Sequence, residues 1–321
     1  MGRALVTTLV RLSIESATSV VGAPLVGALG LGGHKGRPYK ERLSYTPFWD
    51  RHGTTVTQRT TVNEYDRTAA ALYDYYSLGV EGDVQFYIEE ARKAGSPVLE
   101  IGCGTGRILL PVAQSGISIV GLDRAPAMLS IARQKLSKLS VDTQSRIELV
   151  EGDMRDFSLG QRVKLIMIPY RAFLHLLTPK DQRRALECMR EHLTDDGRLV
   201  FNIFDPNLEL IAARLSPLGS ALKKDAEFMH PHTGHRVVVW QTHQFDPERQ
   251  MLELYFIFEE LEDGGRVVAK LYSPLTLRYV YRYEMRYLLE LCGYKVEALY
   301  GDFQRGPFRY GGEQIWVARK S

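Results

Sequence analysis

The stretch Val98–Asp123, VLEIGCGTGRILLPVAQSGISIVGLD, sets Gly102, Gly104 and Gly106 in alternation between an apolar run and a helical one. Glycine lets a backbone take left-handed angles and pass close to a ligand, and a helix starting behind such a turn favours a negative group such as a carboxylate. Two acidic residues bracket the turn. Glu100 ends the first run, where it would meet a cationic ligand group, and Asp123 ends the next, where it would accept hydrogen bonds from ribose hydroxyls. A pyrophosphate would be disfavoured by Glu100. A dinucleotide turn also requires GxGxxG, and position 107 is Arg. Cys103 reads as a small side chain filling the turn, because no base is set beside it.

These residues need a scaffold that brings strand ends together, and the chain predicts one. VQFYIEEARKAG is helical and stops at Gly95; PVLEI, ISIVGLD, RIELVEG, VKLIMIPY and RLVFNIF read as strands; RILLPVAQSG, APAMLSIARQKLSKL and PKDQRRALECMREHL read as the helices between them. Strict alternation of this kind predicts an α/β fold, a parallel sheet covered on both faces with its ligand at the C-terminal strand ends. After Phe204 the rhythm changes. HRVVVWQTHQF, QMLELYFIFEEL and RVVAKLYSPLTLRYVY, separated by DPER and EDGG, predict an antiparallel meander. YEMRYLLELCGYKVEALYGDF and EQIWVARK then return to helix, strand, strand, so the meander reads as an insertion.

Composition narrows the function. The 321 residues carry 45% apolar and 25% charged residues and a net charge of +3, which describes an ordinary globular chain without the basic stripe of a nucleic-acid binder. Three scattered cysteines, Cys103, Cys188 and Cys292, suggest neither a disulfide framework nor a zinc site, and a reducing cytoplasm is the simplest setting. Residues 4–33 are apolar, but Arg11 and Glu15 interrupt them before the roughly 20 residues needed to span a bilayer. Residues 1–60 are expected to be a poorly ordered or loosely docked extension.

The sequence from Tyr65 to Lys320 resembles the class I methyltransferases that use S-adenosylmethionine (SAM), through LEIGCGTG, Asp123 and EGDMRDF in the family's order. The resemblance implies a Rossmann-like, mostly parallel seven-stranded sheet with an antiparallel last strand, here EQIWVARK, plus an antiparallel β insertion after the fifth strand. It implies SAM on the glycine turn, with Asp123 on the ribose, Asp153 on the adenine amino group and Met154 against the ring. Tyr73, Glu100, Gly102, Cys103, Gly104, Gly106, Asp123, Arg124, Met128, Asp153, Met154, Pro169 and Tyr170 make up the expected cofactor site. Within the family the sequence is similar to small-molecule enzymes, the nucleotide-sugar amine N-methyltransferases and the glycine N-methyltransferase-like group. The fourth-strand end is IPYR, where the nucleic-acid base methyltransferases carry D/N-P-P-Y/F, and this argues against a nucleic-acid substrate.

In that family IPYRAFLHL lies beside the transferred methyl group, which makes His175 the expected catalytic or acceptor-orienting residue, with histidine packing as the plainer alternative. Tyr76, Arg171, His175 and Arg278 are the expected acceptor contacts. Tyr73 and Tyr76 stand where the family folds a lid, and an aromatic ring there would face the sulfonium. Arg278, Arg282 and Arg286 would form one basic helical face if LRYVYRYEMRYLLE were helical throughout. HPHTGH, with His230, His232 and His235, reads as a hairpin turn and no metal site is expected.

The expected organisation is an extension over 1–60, a core over 61–205 and 279–321, and an insertion over 206–278 that binds the acceptor or forms a homodimer surface. The function expected is methyl transfer from SAM to an N or O atom of a small molecule, without nucleic-acid or membrane partners. A SAM-binding protein without turnover and a nicotinamide-dependent oxidoreductase are the alternatives.

Overall fold

The structure, a computed structural model, describes residues 65, 67–215 and 221–321, all within one compact unit. The expected extension over 1–60 lies outside the described residues. Helices α1 (Arg67–Tyr76) and α2 (Asp83–Ala94) precede β1 (Val98–Ile101); α3 (Leu109–Gln114), β2 (Ile119–Asp123), α4 (Pro126–Leu136), α5 (Val141–Gln144), β3 (Ile147–Glu151) and β4 (Val163–Ile168) follow. A 3-10 turn (Ala172–His175) leads to α6 (Pro179–His192), β5 (Leu193–Phe204) and α7 (Leu208–Arg214). Four strands come next, β6 (Lys223–Met229), β7 (Arg236–Asp246), β8 (Met251–Leu261) and β9 (Val267–Arg278), and the described chain closes with α8 (Arg282–Leu291), β10 (Tyr294–Tyr300) and β11 (Glu313–Lys320).

One sheet has the order β10-β11-β5-β4-β1-β2-β3, with β1 to β5 parallel and β11 antiparallel to both neighbours. The chain runs outward through β1, β2 and β3 and then returns beside β1 as β4. That reversal leaves a crevice beyond the C-terminal ends of β1 and β4, where open α/β sheets take their ligands. The Rossmann-like expectation holds in strand number and in the antiparallel last strand. All four residues of β1 are buried, as a strand covered on both faces requires. One face packs Leu109 and Val112 of α3 and Phe86 and Tyr87 of α2; the other packs Leu186 and Met189 of α6 with Met285 and Leu289 of α8.

The second sheet, β6-β7-β8-β9, is antiparallel throughout. Its inward residues, among them Val237, Val239, Leu252, Phe256, Phe258 and Leu277, join the α6 side of the first sheet in one apolar cluster. Three features depart from the sequence reading. Lys223–Met229 is a strand despite its charges, because it is an edge paired only to β7. α7 is a helix that the sequence reading left out, and it starts where the Asn207 side chain accepts from the Leu210 N–H at 2.9 Å. The turn signal at Asp196-Gly197 sits inside β5, where the pairing with β4 jumps from Val163–Leu193 to Leu165–Arg198.

Candidate functional site

All three glycines of the turn adopt left-handed angles, with φ of 69° at Gly102, 53° at Gly104 and 85° at Gly106. A Cβ on Gly102 would stand 2.7 Å from that of Ala172, so the turn is both conformationally and sterically reserved for glycine. The Gly102 and Cys103 N–H groups donate to the Leu122 carbonyl at 2.8 and 3.1 Å, which folds the turn over the end of β2. Asp123 is held at both oxygens: Gly104 N–H donates to Oδ2 and Ala125 N–H to Oδ1, each at 2.8 Å. Each oxygen keeps a lone pair for an incoming hydroxyl. Burial pushes the Asp123 carboxyl up, and the two backbone donors oppose that shift.

Glu100 is 2% exposed and its Oε2 has no hydrogen-bond partner among the described residues. Burial drives its carboxyl well above the usual range, with the Arg107 cation pulling the other way. An orphaned buried carboxyl beside a glycine turn fits a ligand carrying a cationic amino group. The regular helix behind the turn starts only at Leu109 and is six residues long, so turn backbone, and not the helix end, forms the cradle.

Arg107, at the position that breaks the dinucleotide pattern, makes two bonds to Asp83 at 2.8 and 2.6 Å, and its guanidinium lies 5.2 Å from the Tyr170 ring centroid. Tyr170 and Arg171 follow β4 with φ of 51° and 68°, a strained pair for non-glycine residues at about 1–3 kcal/mol each. A buried network holds them. Asn202 Oδ1 accepts from Tyr170 N–H at 2.8 Å and from Tyr87 Oη at 2.9 Å, Asn202 Nδ2 donates to Glu313 at 2.9 Å, and Arg171 pairs with Glu313. The Arg171 guanidinium is therefore committed to Glu313 of β11.

α1 is tied across the turn by Thr105 Oγ1, which donates to Asp74 at 2.6 Å, while Asp74 pairs with Lys135 of α4 at 2.6 Å. This sets Tyr73 in the crevice, where burial chiefly raises its phenol, Tyr170 and Asp123 add to that shift and Arg107 opposes it. His175 sits at the end of the 3-10 turn, with Nε2 3.4 Å from Tyr65 Oη. The crevice thus gathers Glu100, Asp123, Tyr73, Tyr170 and His175 from five separate elements or loops. Tyr76 lies one ring further out, 5.8 Å from Tyr73 and 5.1 Å from Phe258 of the antiparallel sheet.

The other expected residues divide. Met128 is buried behind the turn, with Cε 3.7 Å from a Cβ built at Gly104; Pro169 is buried, and Met154 packs on the apolar cluster. Arg124 is exposed. Asp153 accepts three bonds from Arg155, from the backbone N–H and Nε at 2.9 Å and a terminal nitrogen at 2.6 Å, and these hold its carboxyl below the usual range. Cys103 is buried, which pushes its thiol well up and suits packing over nucleophilicity. The basic helical face does not form: Arg278 ends β9, outside α8, and is buried against Gln182, Gln250 and Glu284 at 3.1, 3.1 and 2.8 Å. The His230–His235 segment is a hairpin turn between β6 and β7.

Sequence reading missed Arg107, Asp83, Asn202, Tyr87, Glu313 and Thr105 as supports of the site. In the sequence, Arg107 stands out only as a mismatch to GxGxxG.

Residues 98–197 match the methyltransferase domain family. The chain is 28% identical over 151 residues to the carboxy-S-adenosyl-L-methionine synthase of Wolinella succinogenes, covering 43% of this chain and 60% of that protein. It is 29% identical over 144 residues to the dTDP-3-amino-3,6-dideoxy-alpha-D-glucopyranose N,N-dimethyltransferase of Streptomyces fradiae, covering 43% and 53%. The chain thus spans little more than half the length of these curated relatives. Its fold is like that of the CcbJ methyltransferase from Streptomyces caelestis, with a TM-score of 0.63 at 24% identity over 76% of this chain and 98% of that one. With the strand order and the glycine crevice described above, residues 98–197 are similar to a methyltransferase domain, and the fold of the described residues is that of the methyltransferase it resembles.

Proposed function

We propose that the protein transfers a methyl group from SAM to an N or O atom of a small-molecule acceptor. One observation carries the reading. Within the same crevice, Glu100 offers a buried carboxyl oxygen without a partner and Asp123 offers two oxygens already oriented by backbone donors. That pair matches the amino group and the ribose of SAM and would repel a pyrophosphate. The relative named as an aminosugar N,N-dimethyltransferase favours nitrogen as the receiving atom.

Bound SAM supplies an electrophilic methyl on a sulfonium, open to in-line displacement. The chain's work is then largely positioning, which lowers the barrier by holding the reacting atoms at near-attack distance. Glu100 takes the amino group and Asp123 the ribose hydroxyls. Tyr73 would offer an aromatic face to the sulfonium, and Tyr170, braced by Arg107 and Asn202, walls the crevice. His175 Nε2, near Tyr65 Oη, is the group assigned to take the acceptor's proton when the acceptor arrives protonated. Asp153 and Met154 are assigned to the adenine end, and Tyr76 to the acceptor side. The antiparallel sheet over 223–278 closes that side and offers a homodimer surface. Among the described residues no helix is long and apolar enough to cross a membrane. The small net charge favours a small-molecule acceptor over nucleic acid, and three scattered cysteines suit a cytoplasmic location.

Calorimetry with SAM and S-adenosylhomocysteine, followed by transfer from methyl-labelled SAM to small amines and alcohols, tests the reading. Binding of both cofactors and label in an amine or hydroxyl product is the expected result. Binding without label in any acceptor leaves a SAM-binding protein, and NAD binding in place of SAM overturns the assignment.

A further inference from the structure

Polar groups interrupt the inward face of the antiparallel sheet at one place. Along β7 the inward positions run Val237, Val239, Gln241, His243 and Phe245; both valines and the phenylalanine are buried, while Gln241 and His243 bring polar atoms among them. His243 Nε2 is buried and has no hydrogen-bond partner among the described residues. Burial, helped by the cations Arg214 and Lys223, brings the ring's pKa down to about 4, so it is neutral at physiological pH.

Asp225, on the neighbouring strand, is the bulge residue between Lys224 and Ala226, where an extra residue re-aims a side chain. It is half-buried, and among the described residues its carboxylate has neither a hydrogen-bond nor an ion-pair partner. Glu227 on the same strand, by contrast, pairs with Lys224 and Arg236.

Tyr76 joins this patch to the cofactor crevice. Its ring lies 5.8 Å from Tyr73 and 5.6 Å from Phe256, and its neighbour Tyr75 stacks at 5.3 Å on Phe228, three residues along β6 from Asp225; its phenol is raised by burial first, with Asp225 adding to the shift. An unpaired carboxylate beside an aromatic ring, partly shielded from water, is a site for an ammonium group.

Resting on the methyltransferase reading, we propose that Asp225 and His243 are acceptor-binding residues: Asp225 captures the ammonium group of an amine acceptor against Tyr76, and His243 Nε2 hydrogen-bonds a polar substituent of the same molecule. The ammonium is the form captured. Its proton passes to His175 or to water before the nitrogen lone pair becomes available.

The test is calorimetry on the protein saturated with S-adenosylhomocysteine. Its probes are tyramine and a dTDP-linked 3-amino sugar, each carrying a second polar group and each beside its hydroxyl counterpart. At least one amine should bind at least tenfold more tightly than its counterpart. Asp225→Asn and Asp225→Ser should each weaken that amine at least tenfold and leave the hydroxyl counterpart and the cofactor unchanged, while Glu227→Gln changes neither. His243→Phe should weaken the same amine about fivefold, and His243→Gln should recover most of the loss. Amines that bind no better than alcohols, no probe bound, or Asp225 variants within twofold of wild type overturn the proposal; His243→Phe within twofold removes His243 from it. Failure of S-adenosylhomocysteine to bind at all would sink the methyltransferase reading instead.

Discussion

The C-terminal end of the parallel sheet and the inward face of the antiparallel sheet solve the same problem, presenting polar atoms in an apolar setting, by different routes. At the parallel end, Asp123 is fixed by N–H groups from its own turn and the one before it, within 19 residues of chain. Local backbone does the positioning. On the antiparallel face, Gln241 and Phe256 meet through ladder pairing of β7 with β8, and Asp225 is set near them by a bulge in the pairing of β6 with β7. A cofactor shared by a family suits the first design, because the turn holds its geometry whatever surrounds it. An acceptor that differs between enzymes suits the second, because one side chain can change without moving the backbone.

The sharpest challenge to that contrast lies in Glu313. The parallel end is not wholly local, since Tyr170 and Arg171 keep left-handed angles through Asn202 and Glu313, and Glu313 is 111 positions along the chain from Asn202. Glu313→Ala would leave Arg171 buried without its partner and strip Asn202 of an acceptor. Removing one partner of a buried pair costs about 3–5 kcal/mol, so chemical denaturation should show a loss of that size, together with weakened cofactor binding. A loss under about 1 kcal/mol would mean that the crevice is set by its turn alone.

Asp123→Ala tests the local half. Lost hydrogen bonds from hydroxyls to a charged acceptor should weaken SAM binding by about 1–3 kcal/mol, with folding nearly intact, and calorimetry reads both. Unchanged affinity would remove Asp123 from the site.

Glu100 gives a smaller, pH-dependent signal. Its carboxyl is raised by burial in the free protein. Below the ordinary carboxyl range folded and unfolded chains are both protonated and the residue contributes nothing. As pH rises above that range the unfolded chain ionises first, so the free protein loses stability until its own raised pKa is passed. A bound amino group supplies the missing partner, so SAM affinity should rise across the same window with release of up to about one proton. Glu100→Gln should flatten that dependence, and a flat wild-type profile would place Glu100 away from the ligand.

The sequence displayed the parallel core well because its signals are short-range. Alternating glycines, an acid at each strand end and 3.6-residue periodicity all lie within single segments. Tyr170 and Arg171 were legible only as neighbours of β4. Nothing in Pro-Tyr-Arg announces two left-handed residues, since that strain is carried by Asn202 and Glu313 from other strands. Arg278 failed for a related reason: periodicity across Leu277–Glu290 looked helical, but β9 pairing with β8 outcompetes it up to Arg278. Charged Lys223–Met229 was missed because an edge strand needs only one apolar face, and Ala226 and Phe228 provide it.

The smallest expected effect lies at the hairpin end of the same antiparallel sheet, far along the ladder from His243. His235 Nδ1 bonds Glu260 at 2.8 Å and Thr233 Oγ1 bonds the same oxygen at 2.6 Å, so the histidines of this turn have surface partners and polar company, unlike His243. Glu260 is held below the usual carboxylate range by those two donors, chiefly Thr233. An exposed pair of this kind contributes about 0–1 kcal/mol. His235→Ala should therefore shift stability by no more than about 0.5 kcal/mol, leave SAM and amine binding unchanged, and show no protection by added zinc in thermal unfolding. Stabilisation by zinc in wild type that His235→Ala abolishes would turn the hairpin into a metal site. The functional part of the antiparallel sheet would then extend beyond the patch around Asp225 and His243.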